Sequence, residues 1–378
     1  MTFISVDDHV QEHPRVWTDR LSATTWGERI PHVDRTDGAE RWFVDGKPLA
    51  LAGVAAAGAL MADRTVEPQR WDEVPTPTYV PGERLAAMDA AGVDYSVLYP
   101  TVAGVAGETF GRLNDPPFEL ACVQAYNDWL IDEWASASDR LIPQCIVPLY
   151  PPEATAAEIR RAVGRGHRGV VFPALPMEVR DVPHVNEPEY DVVWATCEEL
   201  GVPLCLHAGS APRLEIAPYE TLVPALAGAL RRITRSAAGI FDVSSLLFSQ
   251  ILTRHPRLRV VFAESALGWA PFMLEVADNQ YDRDRVSQDE AYPLKPSELF
   301  RRQCCFTGWY DTVADIVPHV GSDQIMWAAN FPLANSTWPD CQAFIARCFD
   351  GVADTERERI LWGNAAELYG LTPRPPDS

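Results

Sequence analysis

Basic residues, apolar runs of membrane length and an export signal are scarce or missing in this sequence. The 32 Lys and Arg residues stand against 53 Asp and Glu residues, which gives a formal net charge of -21. A field of that sign repels phosphate backbones and anionic lipids, so neither a nucleic-acid partner nor a membrane partner is expected. No apolar run reaches transmembrane length. Residues 1–6 lack the basic and apolar regions of a secretory signal, and we therefore expect a cytoplasmic protein.

Paired cysteine motifs are also missing. The sequence has 8 cysteines, none in a C-x-x-C arrangement, and most lie within apolar runs. This pattern predicts reduced, buried thiols rather than disulfides. The cysteines are Cys122, Cys145, Cys197, Cys205, Cys304, Cys305, Cys341 and Cys348.

Short β-branched or aromatic runs alternate with amphipathic stretches, as expected for buried parallel strands beneath crossover helices. Strands are predicted at residues 3–7, 95–99, 142–148, 169–172, 203–207, 258–264, 304–307 and 324–330. Helices are predicted at residues 84–91, 119–137, 154–164, 191–200, 222–254, 269–281 and 310–319. The order predicts an α/β fold, a (β/α)8 TIM barrel closed by a C-terminal helix near residues 356–369.

Residues 13–83 interrupt this alternation. They are rich in Pro and Gly, and they contain an Asp45-Gly46 pair that is typical of a hairpin turn. We interpret them as an insertion, or arm, after the first strand of a single domain spanning residues 1–378; a separate small domain is the alternative. Residues 371–378 are expected to form a Pro-rich tail.

Ligand-type side chains stand at the ends of two predicted strands. Asp7 and His9 end the first strand, and a period of two places them on one side of it. His207 ends the fifth strand. Active sites of this fold lie at the carboxyl ends of the strands, so these three residues predict a metal site. Taken alone, an Asp-x-His pair is common, and a histidine at a strand end is more often a hydrogen-bonded structural residue than a ligand; the metal site is predicted from the three residues together.

Seven segments resemble the amidohydrolase-related family, almost from end to end. They are residues 7–12, 84–94, 98–101, 126–129, 202–207, 261–265 with Trp269, and 363–365. The resemblance implies a metal-dependent barrel whose site is built from strands 1, 5 and 8. Family members include decarboxylases of aminocarboxymuconate semialdehyde and of resorcylate.

The sequence departs from that family on the eighth strand. The family pattern there is Ser-Asp-aromatic-Pro-His, whose Asp binds the metal, whereas this chain has Ala329, Asn330 and Leu333 at the three polar positions. An amide brings no negative charge and accepts no proton near neutral pH. The departure argues against ordinary activation of water at Asn330 and leaves a redirected catalytic role for it.

Asp7, His9 and His207 make a set of two imidazoles and one carboxylate, which suits Fe(II) and also zinc. A divalent cation is therefore expected, zinc first, with iron or manganese as alternatives. Glu12 is a further candidate ligand, or else a solvated loop residue. Glu264, at the end of the sixth strand, is a candidate catalytic residue that orients a ligand or binds substrate, or else it forms a buried salt bridge.

Three residues are candidates for substrate binding. Trp269 and Trp327 could line a pocket, although packing is the common role of Trp in a barrel. Arg213 could bind one carboxylate, or it could be a solvated loop charge. These residues suit a small carboxylic or amino acid.

Three interpretations of the function are compatible with the sequence. The preferred one follows a branch of the family that resembles heteromeric oxygenases such as 2-aminoisobutyrate hydroxylase, with this chain as the supporting subunit. That assignment explains the three changed positions on strand 8. The alternative is a mononuclear metal-dependent decarboxylase or hydrolase of a small carboxylic acid, and a third is a barrel with a structural metal. The expected partner is a homologous barrel subunit or a second copy of the chain.

Overall fold

Eight parallel strands form the central sheet in the computed structural model, which describes residues 2–36, 38–210, 220, 221 and 223–373. Numbered with the other strands in chain order, they are β1 Phe3–His9, β5 Val93–Tyr99, β6 Leu141–Ile146, β7 Gly169–Phe172, β8 Leu204–His207, β9 Val260–Ala263, β10 Cys304–Gly308 and β11 Ile325–Trp327. They pair in that order. The sheet closes where Asn330 donates its backbone N–H to the Asp7 carbonyl, at 3.0 Å. The predicted strands and the barrel are confirmed.

Helices surround the barrel. Their bounds are α1 Arg15–Thr18, α2 Ala23–Trp26, α3 Pro81–Ala91, α4 Glu108–Gly111, α5 Pro116–Trp129, α6 Pro152–Arg165, α7 Pro176–Val179, α8 Asp191–Leu200, α9 Pro224–Leu247, α10 Ile251–Arg254, α11 Ala270–Arg283, α12 Pro296–Gln303, α13 Val317–Val320, α14 Cys341–Cys348, α15 Asp354–Glu358 and α16 Asn364–Tyr369. Two π-helical turns, Leu130–Ala135 and Arg359–Gly363, extend α5 and join α15 to α16.

The predicted helix at residues 310–319 is largely wrong. Only a 3-10 turn at Val313–Asp315 and the short α13 form there. The Asp311 carboxylate accepts the backbone N–H of Leu267, at 2.8 Å, and thus ties this segment to the preceding loop. Helices α12 and α14 were not predicted.

Alternate residues of the strands point into the barrel, and the others point toward the helices. On β5, Val97 and Tyr99 belong to the interior apolar cluster with Cys205 and Met326, whereas Leu98 belongs to the cluster beneath the helices. The interior is thus filled by side chains. Polar chemistry is left to the ends of the strands, as in other barrels of this kind.

The segment between β1 and β5 contains a small antiparallel sheet of β2 His32–Thr36, β3 Ala39–Val44 and β4 Lys47–Pro48. Val44 pairs with Lys47 across Asp45 and Gly46, whose φ angles are 54° and 71°. These are the left-handed conformations of a two-residue hairpin, so the predicted hairpin is confirmed. The apolar residues of this sheet, Trp42 among them, join the cluster beneath the barrel helices. This continuity supports our proposal that residues 13–83 are an arm of one domain.

The arm packs on the carboxyl ends of β1 and β11. The Ala56 N–H donates to the Gln11 side chain at 3.0 Å, and the Ala59 N–H donates to the Pro332 carbonyl at 3.0 Å. Arg64 donates to the Ser336 carbonyl at 2.8 Å. These contacts place the arm beside the end of the barrel where the ligand-type residues lie.

All eight cysteines are buried free thiols, as the sequence predicts. Across the described ranges, we find no helix with both the length and the apolar character needed to cross a membrane.

Candidate metal centre

Because of a β-bulge in β1, the Asp7 side chain points into the barrel. Ser5 pairs with Ser96 and Asp8 pairs with Leu98, so three steps along β1 match two steps along β5. Ile4 and Val6 lie in the interior cluster, and the extra residue then brings Asp7 and His9 to that same side. Asp8 is left on the outer side, where its carboxylate accepts from the Ser96 hydroxyl at 2.6 Å and from the Phe331 N–H at 2.9 Å.

Asp7, His9 and His207 meet at the carboxyl end of the barrel, as the sequence predicts. All three are buried, and one potential ligand atom from each lies within 4.8 Å of the others. Asp7 Oδ1 is 3.5 Å from His9 Nε2 and 3.6 Å from His207 Nε2. Two donor atoms that share an ion at bond lengths of about 2.1 Å lie about 3.0–3.4 Å apart, close to these separations.

The unsatisfied polar atoms of the cluster fit a bound cation. Both carboxylate oxygens of Asp7 and the Nε2 atom of His9 are buried without a hydrogen-bond partner in the described part of the chain. Burial, the largest effect, lowers the pKa of His9 and favours the neutral ring that binds metals. Leaving such atoms unpaired is costly, and a divalent cation would satisfy them together. The donor set therefore fits the metal that the family implies.

Neighbouring groups orient the two imidazoles differently. His9 Nδ1 lies 3.0 Å from the Pro100 carbonyl, which can only accept, so Nδ1 carries the proton and Nε2 presents its lone pair to the cluster. His207 Nδ1 accepts the Gly209 N–H at 3.0 Å and lies 3.8 Å from Glu264 Oε2. His9 is thus set for binding through Nε2, while His207 has both an amide and a carboxylate at its other nitrogen.

Asn330 is buried next to this cluster, and the NH2 group of its side chain is fixed by hydrogen bonds. Its Nδ2 atom lies 3.3 Å from Glu264 Oε1 and 3.3 Å from Asn335 Oδ1 and donates to both. The amide oxygen has no hydrogen-bond partner among the residues described. Its φ of 56° is left-handed, a conformation that Asn adopts more readily than most residues. The Asn330 side chain can therefore offer a neutral oxygen atom to a bound cation.

Glu264 also has a left-handed backbone, with φ of 49°, directly after β9. A non-glycine residue held there costs on the order of 1–3 kcal/mol and is common at functional sites. Its N–H donates to the Thr307 hydroxyl at 3.0 Å, and its Oε1 accepts from Asn330 and Asn335. These contacts hold a carboxylate beside His207.

Glu12 does not join the cluster. Its two carboxylate oxygens accept the backbone N–H groups of Thr101, Val102 and Ala103 at 3.2, 2.8 and 3.1 Å. Both oxygens are therefore occupied by the loop after β5. We leave Glu12 out of the ligand set proposed below.

The two tryptophans predicted to bind substrate pack outside the barrel. Trp327 is fully buried, and its ring centroid is 4.9 Å from that of Phe349 on the outer side of β11. Trp269 packs 5.1 Å from Phe306 and donates its indole N–H to the Ser265 carbonyl at 2.7 Å. The strand alternation that turns Met326 inward turns Trp327 outward. Because of these contacts, we include neither Trp327 nor Trp269 in the site proposed below. Arg213 lies outside the described residues.

Asp242 is a candidate functional residue that the sequence analysis did not identify. It is buried in α9, and burial, reinforced by Glu178 and opposed by His207, raises its pKa to about 7. A carboxylate within the apolar stretch Phe241-Asp242-Val243 is a visible signal that could have revealed it. Asn335 was also missed, because it lies in the loop beyond the eighth strand and has no motif around it.

Known proteins share both sequence and fold with this chain. A sequence model described as amidohydrolase matches residues 49–371. Gamma-resorcylate decarboxylase of a Rhizobium species is 24% identical over 311 residues, covering 76% of this chain and 86% of that protein.

Solved structures show the same architecture. An amidohydrolase from Mycobacterium avium subsp. paratuberculosis superposes with a TM-score of 0.77 at 20% identity, covering 98% of this chain and 99% of that one. A dihydroxybenzoic acid decarboxylase from a Polaromonas species, with bound manganese and 2-nitroresorcinol, has a TM-score of 0.65 at 16% identity, covering 99% and 98%. With the family model matching well over half of the sequence, this chain belongs to the amidohydrolase family.

Proposed function

We propose that this protein is a divalent-metal-dependent decarboxylase of an aromatic carboxylic acid, with Asp7, His9 and His207 as the metal ligands. The observation that carries the proposal is the buried cluster of these three side chains, with unsatisfied polar atoms on Asp7 and His9 and with the Glu264 carboxylate beside it. The relatives named as decarboxylases give the reaction class.

Manganese is the ion that we propose, in place of the zinc expected from the sequence. Two imidazoles with carboxylate and amide oxygens suit manganese, iron and zinc alike. The Polaromonas decarboxylase was solved with manganese bound. We choose manganese because of that relative. Reloading the metal-free protein with one metal at a time will test the choice.

The oxygenase subunit preferred from the sequence is not supported. The two relatives described above whose names give a substrate are decarboxylases, so the alternative is better supported. The contacts of Asn330 with Glu264 and Asn335 also give the altered strand 8 a role without a second subunit. Hydrolysis needs a base to activate water, and Asn330 supplies none.

Glu264 is the residue that we propose to move the proton. In decarboxylation the bond between the ring and the carboxyl carbon breaks, CO2 leaves, and the ring carbon takes up one proton. Protonated Glu264 delivers that proton and regains one from water. A divalent cation held by Asp7, His9 and His207 would supply positive charge that stabilises the negative charge developing on the substrate. Asn330 and Asn335 keep the carboxyl group in place through its Oε1 atom.

Glu264 also has a role toward His207. When His207 gives the lone pair of Nε2 to a cation, the proton of the neutral ring resides on Nδ1. Glu264 Oε2, 3.8 Å away, is the carboxylate that can accept it, since the Gly209 N–H at 3.0 Å cannot. We propose that a small turn of the ring exchanges the Gly209 contact for the Glu264 contact on metal binding.

The function can be tested with metal-stripped protein reloaded with Mn²⁺, Fe²⁺ or Zn²⁺ and supplied with gamma-resorcylate and other hydroxybenzoates. We expect release of CO2 from at least one of them, fastest with Mn²⁺ and abolished by a chelator. Oxygen-dependent hydroxylation together with a homologous subunit, and no CO2 release from any hydroxybenzoate, would overturn the proposal.

Asn330→Asp should bind Mn²⁺ more tightly. The change adds a negative charge where the amide oxygen now lies, and two opposite unit charges about 4 Å apart attract by about 4 kcal/mol at an effective dielectric constant of about 20, with a divalent ion attracting more strongly. Repulsion from Glu264, 3.3 Å from the present Nδ2, offsets part of this gain. We expect an affinity at least about tenfold higher, measured by titration calorimetry.

Asn335→Asp is the matched control, because it brings the same charge to Glu264 from the neighbouring loop. It should change the affinity much less than Asn330→Asp. Equal affinity of all three proteins would show that residue 330 does not face the ion.

A further inference from the structure

Glu12 binds three consecutive backbone amides of the loop that follows β5. The carboxylate is fully buried, and Thr101, Val102 and Ala103 donate to it at 3.2, 2.8 and 3.1 Å. Burial raises the pKa of Glu12 to about 7, and hydrogen bonds from these amides oppose that rise. Three N–H groups that converge on one carboxylate fix the path of the loop more tightly than any one would.

The loop so fixed carries the acceptor that orients His9. Pro100 directly precedes the three amides, and its carbonyl lies 3.0 Å from His9 Nδ1. Two further bonds tie the same stretch to β1: the Val10 N–H donates to the Tyr99 carbonyl at 2.9 Å, and the Thr101 hydroxyl donates to the Val10 carbonyl at 2.8 Å. A displacement of the loop would therefore move the Pro100 carbonyl away from the His9 ring.

The same loop also lies next to the second imidazole. A Cβ atom built on Gly209 would lie 3.1 Å from Val105 Cγ2 and 3.1 Å from His207 Nδ1. Val105 thus packs against the turn whose N–H donates to His207. The loop after β5 borders both histidines of the cluster.

We propose that Glu12 is a positioning residue for the metal centre. It holds the loop of residues 100–105 so that the Pro100 carbonyl keeps the proton of His9 on Nδ1 and leaves Nε2 for the ion. The role rests on the proposed metal-dependent function. It differs from ligation, because Glu12 acts through the loop and does not touch the ion.

Glu12→Gln is the direct test. The amide keeps the shape of the side chain, but its NH2 group faces a backbone N–H where an oxygen now accepts. We expect the dissociation constant for Mn²⁺ to rise about 10- to 100-fold, as for other residues that support metal ligands. Hydrogen exchange at residues 101–103 should become faster. Glu12→Asp keeps the charge and shortens the reach, and it provides the same test should Glu12→Gln fail to fold.

Glu119→Gln is the matched control. Glu119 is a buried carboxylate that accepts the Leu149 N–H at 2.6 Å, in the loop after β6, and pairs with Arg180. That loop carries none of the proposed ligands, so its substitution should leave Mn²⁺ affinity unchanged. Faster exchange at residues 101–103 with unchanged affinity in both Glu12 variants would overturn the role of Glu12 alone. Wild-type protein that binds no divalent cation would instead overturn the metal function.

Discussion

His207→Ala will lower the affinity of the protein for Mn²⁺ by more than about 100-fold. Changes to residues that only support a ligand typically lower metal affinity about 10- to 100-fold, and this change removes one of the three proposed ligands. His207 is also the cluster member farthest from the other two in sequence, as it alone comes from β8. Without it, Asp7 and His9 would remain as an incomplete pair. Calorimetric titration of metal-free protein gives the dissociation constant directly.

His319→Ala controls for the loss of a histidine as such. His319 is exposed in α13, and substitution there should leave the affinity unchanged. The unfolding temperature of metal-free His207→Ala should be compared with that of metal-free wild type, so that a folding defect is recognised. A well-folded His207→Ala protein that keeps wild-type affinity would disprove the ligand assignment.

Glu264→Gln will reduce kcat for decarboxylation by about 10²- to 10⁴-fold, the usual contribution of a general acid or base. The Gln oxygen can keep the hydrogen bonds from Asn330 and Asn335 that Oε1 now accepts. What the variant loses is the proton that the carboxyl group can donate and regain. The measurement is steady-state release of CO2 at saturating Mn²⁺, with KM determined separately from kcat.

Glu67→Gln is the matched control for this experiment. Glu67 is a mostly buried carboxylate in the arm that accepts the Ala57 N–H at 2.7 Å. It is not one of the residues that we place at the reacting centre, so Glu67→Gln should leave kcat within about threefold of wild type, a change of about 0.6 kcal/mol in the activation barrier. Metal content of Glu264→Gln must be measured as well. Loss of bound metal with normal turnover per bound ion would assign Glu264 to supporting His207 and would exclude proton transfer.

The barrel and the meeting of Asp7, His9 and His207 could be derived from the sequence, because both depend on local patterns. Parallel strands buried on both sides are continuous apolar runs, and a polar residue that ends such a run lies at a known end of the barrel. Asp7, His9 and His207 each have this signature. In a regular strand, however, neighbouring side chains point to opposite sides, so Asp7 and Val6 would have lain on different sides of β1. The bulge that brings both inward is a mismatch between β1 and β5, and no property of β1 alone specifies it.

The roles of Glu12 and Trp327 could not be derived in this way. Glu12 finds its partners 89 to 91 positions away, in a loop without a motif. Trp327 ends β11, a strand of only three residues. The inward and outward alternation of side chains is hard to assign from the sequence of so short a strand, so the side of β11 on which Trp327 lies could not be predicted. Side-chain direction at strand ends and contacts between distant loops are tertiary properties. The sequence identifies such residues as candidates, and their contacts in the structure then show which of them lie at the site.

The bond that closes the barrel has a consequence for biosynthesis. The Asn330 N–H donates to the Asp7 carbonyl, and the neighbouring Phe331 N–H donates to Asp8 across 323 positions of sequence. At about 5–20 residues per second, the ribosome would make the last strand roughly 15–65 s after the first. Asp7 and His9 are therefore made long before β11, the strand that closes the barrel against β1. Completion of the proposed metal centre and closure of the barrel are then one late event, and a chain truncated before β11 would have neither.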